Sequence, residues 1–238
     1  MARSSKKRIP IDTDFHSHLL PDIDCSAPID HAVKFVADAY ECGIENIVLT
    51  PHFYPHRHSS VESFTEKRDR SIDKLIQGLK NEGLPSPSFY PAAEVLLCPG
   101  LEKLENLGLL CIKNTKTLLI EMPDPPWNDK LYDALEAISD LGYTVVIAHA
   151  DRYGKNEAES LIKAGYAIQL NADSVCAFGM ARLCMSWIKD KRVYALGSDT
   201  HVRSNGVPSY KKMIKAASAI SDHADLIQDR MHELIGKN

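Results

Sequence analysis

No stretch of the sequence approaches the roughly 18 consecutive apolar residues needed to cross a bilayer. The basic residues near the N-terminus are not followed by the apolar core of a signal peptide. Both absences lead to the expectation of a cytoplasmic protein with no integral membrane segment. An excess of positive charge is missing too: the formal net charge is -4. No nucleic-acid partner is therefore expected, since only the short run from Arg3 to Arg8 is basic, and residues 1–10 read as a flexible, solvated tail. The six cysteines, Cys25, Cys42, Cys98, Cys111, Cys176 and Cys184, contain no C-x-x-C pair. Reduced thiols are expected, with neither a disulfide framework nor a thiolate zinc site. Internal repeats and low-complexity stretches are absent, and the proline-rich pieces Pro85 to Pro87 and Pro123 to Pro126 are too short to link domains. Residues 11–238 read as a single domain.

What the sequence does contain is an alternation of short aliphatic runs with longer stretches of helical periodicity, the pattern of βα units around a parallel sheet. The predicted strands are Ile11 to Phe15, Asn46 to Thr50, Ser88 to Ala93, Thr117 to Ile120, Thr144 to Ala148, Ala167 to Leu170 and Val193 to Gly197. Several are nearly continuous apolar runs of the kind buried on both faces. Helices are predicted over Ala32 to Cys42, Val61 to Asn81, Lys130 to Leu141, Ala158 to Ala164, Met180 to Lys191 and two segments after Val207, giving a helical outer ring. Gly43, Gly142 and Gly165 are the expected stops. Seven units suit an α/β barrel better than an open sheet.

The residues at or just after the strands are His16 and His18, then His52, Glu94, Glu121, His149, Asn171, and finally Asp199 with His201. In a parallel barrel all C-terminal strand ends meet on one face, so these side chains are expected to cluster there. His16 and His18 are two apart, as are Asp199 and His201, and a strand period of two points each pair to one side. Imidazole and carboxylate donors suit zinc, manganese or iron. An isolated histidine is usually a hydrogen-bonded structural residue. Strands buried on both faces should not end repeatedly in ionisable groups without partners, and the joint pattern reverses that reading. His56, Arg57 and His58 read as an exposed loop, and His31, His223 and His232 as surface residues. Met180, Met185 and Trp187 share a predicted helix and read as core packing.

With Asp14-Phe15-His16-Ser17-His18, Thr50-Pro51-His52, Ala93-Glu94, Ile120-Glu121, Ile147-Ala148-His149-Ala150-Asp151-Arg152 and Ser198-Asp199-Thr200-His201 in this order, the chain resembles the polymerase and histidinol phosphatase (PHP) superfamily. Within it, the sequence is most similar to the bacterial metal-dependent tyrosine-protein phosphatases associated with capsular polysaccharide synthesis. The resemblance implies a distorted (β/α)7 barrel with up to three divalent ions. It assigns His16, His18, Glu94 and Asp199 to a first ion, Glu94, Glu121 and His149 to a second, and His52 and His201 to a third. Where the family carries Asp-Asp-Gly, this chain reads Asp24-Cys25-Ser26, so Asp24 is the expected acidic ligand of the third ion, and Cys25 the alternative. The family's Arg-Pro pair after the last histidine is also absent here, where the chain reads Asn205-Gly206-Val207-Pro208. Arg203 is the candidate replacement and Arg152 the candidate phosphate ligand.

The implied reaction is in-line attack of metal-activated hydroxide on a phosphomonoester. The implied catalytic residues are Arg152, Glu94 and His149, and the implied substrate is a phosphorylated tyrosine kinase or phosphopeptide. Histidinol phosphate or another small phosphoester is the alternative substrate, and a metal-binding regulatory protein without turnover the alternative class. Two other chemistries rank lower. Cys176 and Arg182 match the Cys-x5-Arg spacing of thiol phosphatases, but the residues between them are bulky and apolar. A C-N hydrolase of the amidohydrolase type would carry a strand-end lysine where this chain has Glu121.

Overall fold

Aliphatic runs become strands in the computed structural model, which describes residues 10–23, 28–202 and 210–237. The first stave is β1 (Thr13–His18), buried along its whole length. The second is broken into β2 (Asn46–Leu49) and β3 (His52–Phe53), and the third into β4 (Ser88–Pro91) and β5 (Glu94–Leu96). Then come β6 (Thr117–Glu121), β7 (Thr144–Ile147) and β8 (Ala167–Asn171). The last stave is β9 (Val193–Gly197) with β10 (Thr200–His201). All pairings are parallel, in the orders β10-β1-β2-β4 and β3-β5-β6-β7-β8-β9. The breaks correct the reading of Ser88 to Ala93 as one strand. Pro51 and Pro91 lack the N–H that a regular ladder needs at those points. Backbone bonds nonetheless cross the gaps, from Thr50 N–H to Ser17 O (3.0 Å), Ala92 N–H to Leu49 O (3.0 Å) and Glu94 N–H to Pro51 O (3.1 Å). Asp199 N–H bonds His16 O at 2.8 Å and so holds the last stave beside the first.

The helices are α1 (Ile29–Glu41), α2 (Val61–Asn81), α3 (Asp129–Asp140), α4 (Lys155–Lys163), the short α5 (Ala172–Val175), α6 (Ala181–Lys189), α7 (Lys211–Ala219) and α8 (Ser221–Leu234). Each of the long ones buries one stripe. In α1 the stripe is Ala32, Val33, Phe35, Val36 and Ala39, and burying each large apolar side chain contributes about 1.5–3 kcal/mol. Ser60 caps α2 by accepting from Ser63 N–H at 3.1 Å. Gly43 ends the α1 turn at φ 103°, a conformation that side chains disfavour.

One arc of the outer ring is not α-helical. Between β5 and β6 the chain forms two 3-10 turns, Leu101–Lys103 and Leu107–Leu110. Buried Arg68 of α2 pins this segment through bonds from Nη1 to Ala92 O and Leu109 O, both 3.2 Å.

The N-terminal ends of the staves are plugged by polar groups. Asp12 Oδ1 accepts from Thr13 Oγ1 (2.7 Å), Asn46 Nδ2 (2.9 Å) and His232 Nε2 (2.9 Å). Burial opposes ionisation of Asp12, but bonds from Thr13 and His232 and the charge of Lys237 hold it below the usual carboxylate range. His232 therefore ties α8 to the sheet instead of lying free on the surface. Trp187 is buried, as expected for packing, while Met180 and Met185 are only half-buried. No helix among the described residues is long and apolar enough to cross a membrane, and the five described cysteines are free thiols. The run from Arg3 to Arg8, Asp24, Cys25 and Arg203 lie outside the described residues.

Candidate metal centre

His16 and His18 leave the same side of β1 with their Nε2 atoms 3.0 Å apart. Glu94, the first residue of β5, brings Oε2 to 3.3 Å from His16 Nε2 and 3.2 Å from His18 Nε2. Asp199 brings Oδ1 to 3.8 Å and 3.4 Å from the same two nitrogens. Bonds of about 2.0–2.2 Å to one ion place neighbouring donors about 2.9–3.6 Å apart in octahedral or tetrahedral geometry. His16, His18 and Glu94 thus bring three donors close enough together to share one ion, and Asp199 lies at the edge of this group, nearest His18. Glu94 Oε2 is buried and makes no hydrogen bond of good geometry, an arrangement that a cation would complete.

The other predicted ligands surround this group. Glu94 Oε1 is 2.7 Å from His149 Nε2, and Glu121 Oε1 is 3.7 Å from that nitrogen. His52 Nδ1 lies 2.8 Å from Glu94 Oε2, and its Nε2 lies 3.3 Å from His201 Nε2. The His18 ring stacks on that of His201 with centroids 4.1 Å apart. Two further sets of donors are close enough to share an ion, His18 with His52 and His201, and His52 with Glu94 and Glu121. All the described residues singled out as ligands therefore meet in one place. Asp24 and Arg203 lie outside the described residues, and Arg152 pairs through Nη2 with Asp199 Oδ2.

The electrostatics follow from this crowding. Burial opposes the charge on Glu94, but the His16 charge, the His149 bond and the close approach of His16 and His18 hold its carboxyl well below the usual range. Asp199 is likewise depressed against its burial, by the His18 bond and the charges of His16, His18 and Arg152. Glu121 is raised by burial and the Glu94 charge. Burial and the neighbouring His18 push His201 down to about 4, leaving its imidazole neutral at pH 7.

Strand period does not account for the pairing of Asp199 with His201. Asp199 sits in the gap between β9 and β10 at φ 48°, and His149 just beyond β7 at φ 32°. Both are left-handed, a region uncommon for non-glycine residues. Tertiary bonds hold them there. Asn171 Nδ2 donates to Asp199 Oδ2 at 2.9 Å, and the His149 N–H donates to Gln169 Oε1 at 2.7 Å.

Several supporting residues escaped sequence reasoning. Asp14 is fully buried. Its Oδ1 accepts from Ser198 N–H (2.8 Å) and His16 N–H (3.3 Å), and its Oδ2 accepts from the Tyr210 hydroxyl. An acid two residues before a candidate ligand in the same strand was the available signal. Tyr54 stacks on His52 at 5.3 Å, with Arg57 5.0 Å above the Tyr54 ring, so the loop after β3 does reach the cluster. His58 instead packs on Phe53, with centroids 4.9 Å apart. Across the site Tyr153 lies 5.8 Å from the His149 ring and 5.2 Å from Trp127. These aromatics wall the two flanks of the cluster.

Comparison with known proteins agrees with this architecture. Residues 12–238 match the family model described as capsular polysaccharide synthesis, CpsB/CapC. The tyrosine-protein phosphatase CpsB of Streptococcus pneumoniae is 26% identical over 202 residues, covering 79% of this chain and 82% of the relative. The tyrosine-protein phosphatase YwqE of Bacillus subtilis is 27% identical over 201 residues, covering 79% and 76%. Among solved structures, one from a study of YwqE and CpsB as metal-dependent tyrosine phosphatases superposes with a TM-score of 0.77 at 19% identity, covering 95% of both chains. The phosphotriesterase homology protein of Escherichia coli, with phosphate in its active site, superposes at 0.63 with 10% identity, covering 95% of this chain and 99% of that one. These two likenesses establish the fold, a distorted α/β barrel. The chain belongs to the CpsB/CapC family of capsular polysaccharide synthesis proteins.

Proposed function

We propose that this protein is a metal-dependent phosphatase whose substrate is phosphotyrosine in protein. The observation that carries the reading is the set of spacings among His16, His18 and Glu94, which suits one shared cation, with Asp199 Oδ1 3.4 Å from His18 Nε2. The relatives named as tyrosine-protein phosphatases supply the substrate class. His16, His18, Glu94 and Asp199 would hold one ion, Glu94, Glu121 and His149 a second, and His52 with His201 a third, for which Asp24 is the further candidate. Manganese, zinc and iron all suit these donors. Bound divalent ions supply Lewis acidity and lower the pKa of water toward neutrality.

The chain's own residues do the rest. Glu94 and Asp199 stay ionised and His201 stays neutral near pH 7, so these three donors need not shed protons first, whereas His16, raised against its burial by the Glu94 charge, gives up its proton to an incoming ion. Arg152 has a half-exposed side chain beside Asp199, and its planar guanidinium fork can turn to a non-bridging phosphate oxygen. Tyr54 on one flank and Tyr153 with Trp127 on the other offer apolar faces to an aryl leaving group. Residues 11–238 would act as one domain in the cytoplasm, with a phosphorylated tyrosine kinase of capsule synthesis as partner.

The test is phosphate release from a phosphotyrosyl peptide and from histidinol phosphate, measured side by side after chelation and after return of manganese, zinc or iron. Release from the peptide should require metal and should vanish in Glu94→Ala and His149→Ala proteins that remain folded by circular dichroism. Turnover in verified metal-free protein refutes the mechanism. Preference for histidinol phosphate refutes the substrate.

A further inference from the structure

We propose that Gln169 and Asn171 of β8, the one stave that ends without a ligand, form a directional amide relay. It dictates which nitrogen of His16 is presented to a metal and, by holding one oxygen of Asp199, leaves the other facing the histidines. The inference rests on the metal-centre reading above and identifies two positioning residues for it.

The relay starts at a group whose polarity is not open to choice. The His149 backbone N–H can only donate, and it lies 2.7 Å from the Gln169 side-chain amide, so the amide atom facing it is the oxygen. The same oxygen lies 3.0 Å from His16 Nδ1. An amide oxygen only accepts, so His16 Nδ1 carries a proton. When His16 is neutral, its lone pair is therefore on Nε2, the atom that faces His18, Glu94 and Asp199.

Fixing the Gln169 oxygen also fixes its nitrogen, which donates to Asn171 Oδ1 at 3.0 Å. Asn171 must then turn its own nitrogen to Asp199 Oδ2, at 2.9 Å, and this leaves Asp199 Oδ1 to face the histidines. The Asn171 backbone N–H is anchored separately, on Asp151 Oδ1 at 2.8 Å. Gln169 is fully buried and Asn171 is 5% exposed, so water does not replace any link. Outer hydrogen bonds of this type orient metal ligands and select the histidine tautomer.

Gln169→Leu keeps much of the volume and removes the polarity, whereas Gln169→Glu keeps an acceptor for His16 and His149 but sets an oxygen against Asn171 Oδ1. The probe is zinc alone. Affinity is read by competition with a chromophoric chelator, and tautomers by long-range proton–nitrogen NMR of histidine-labelled, zinc-loaded protein. Wild type should show a slowly exchanging His16 Nδ1 proton. Gln169→Leu should lose that slow exchange and bind zinc about 10–100-fold more weakly. Gln169→Glu should retain the Nδ1 proton and still lose affinity, because a reversed Asn171 confronts Asp199 with oxygen. That split separates a directional relay from simple packing. A His16 proton on Nε2 in wild type overturns the proposal whether or not either variant folds, as does wild-type affinity with an intact Nδ1 signal in Gln169→Leu. A wild-type protein that takes up no zinc, manganese or iron instead brings down the metal-centre reading itself.

Discussion

Replacing Gly197 with alanine tests the closeness of the last stave to the first. A β-carbon built at Gly197 falls 2.5 Å from His16 Cβ, 2.9 Å from the His16 backbone nitrogen and 3.0 Å from Gln169 Nε2. Comfortable contact begins at about 3.5 Å, so a separation of about 1 Å must be opened. The nearest obstacles are backbone and β-carbon, which no rotamer change removes. Overpacking of this kind costs about 1–3 kcal/mol, and each kcal/mol lowers Tm by about 2–4 °C in a chain of this size. Gly197→Ala should therefore melt about 2–12 °C lower. Displacing His16 should also weaken zinc binding about 10–100-fold, in the range of other outer-sphere changes. Gly108→Ala is the control, since its β-carbon meets only the end of the Tyr143 side chain, at 3.3 Å, and a change within about 1 kcal/mol is expected. Thermal melts by circular dichroism and zinc competition supply both readings. A Gly197→Ala protein with wild-type Tm and zinc affinity refutes the packing of β9 on β1 described above.

Tyr210→Phe removes a hydroxyl donor from the buried Asp14 carboxyl, and a loss of about 1.5–3 kcal/mol should appear in urea unfolding. Asp12→Asn tests the polar plug. The folded pKa of Asp12 lies below its ordinary value of 3.8, so its stabilisation is complete above that value and fades as pH falls through the folded pKa. The gap in unfolding free energy between wild type and Asp12→Asn should accordingly shrink as pH falls below about pH 4. A gap that widens on acidification contradicts the assignment. Zinc at a hundredfold above its Kd should stabilise the folded chain by about 2.7 kcal/mol, visible as a Tm that rises with zinc concentration. Cys176→Ser should leave phosphate release unchanged, and loss of turnover in that variant would revive the thiol route.

The apolar runs revealed most of the staves because burial on both faces favours aliphatic residues, as in Leu118 to Ile120 and Val145 to Ile147, whereas β1 is buried with mainly polar residues. They did not reveal where staves break. Glu94 read as the residue after a strand, yet it begins β5, because the break at Pro91 depends on which neighbouring carbonyl each N–H meets. The candidate ligands stood out because each is an ionisable residue at or near a strand end, and only their conjunction was informative. Their supports were hidden for a different reason. Gln169 acquires meaning only from His16, 153 residues away, and Tyr210 from Asp14, 196 residues away. Local sequence holds no record of such partnerships. The segment over Leu101–Lys103 and Leu107–Leu110 was equally opaque, since its anchoring by Arg68 is tertiary.

His149 and Asp199 occupy backbone angles better suited to glycine, each disfavoured by about 1–3 kcal/mol. Selection for heat resistance alone should therefore move these two sites toward glycine or asparagine and yield sturdier molecules that have forfeited their chemistry. Durability and reactivity are opposed at two identifiable peptide units. A laboratory lineage evolved without an activity screen should reveal that conflict at these positions before any other ligand changes.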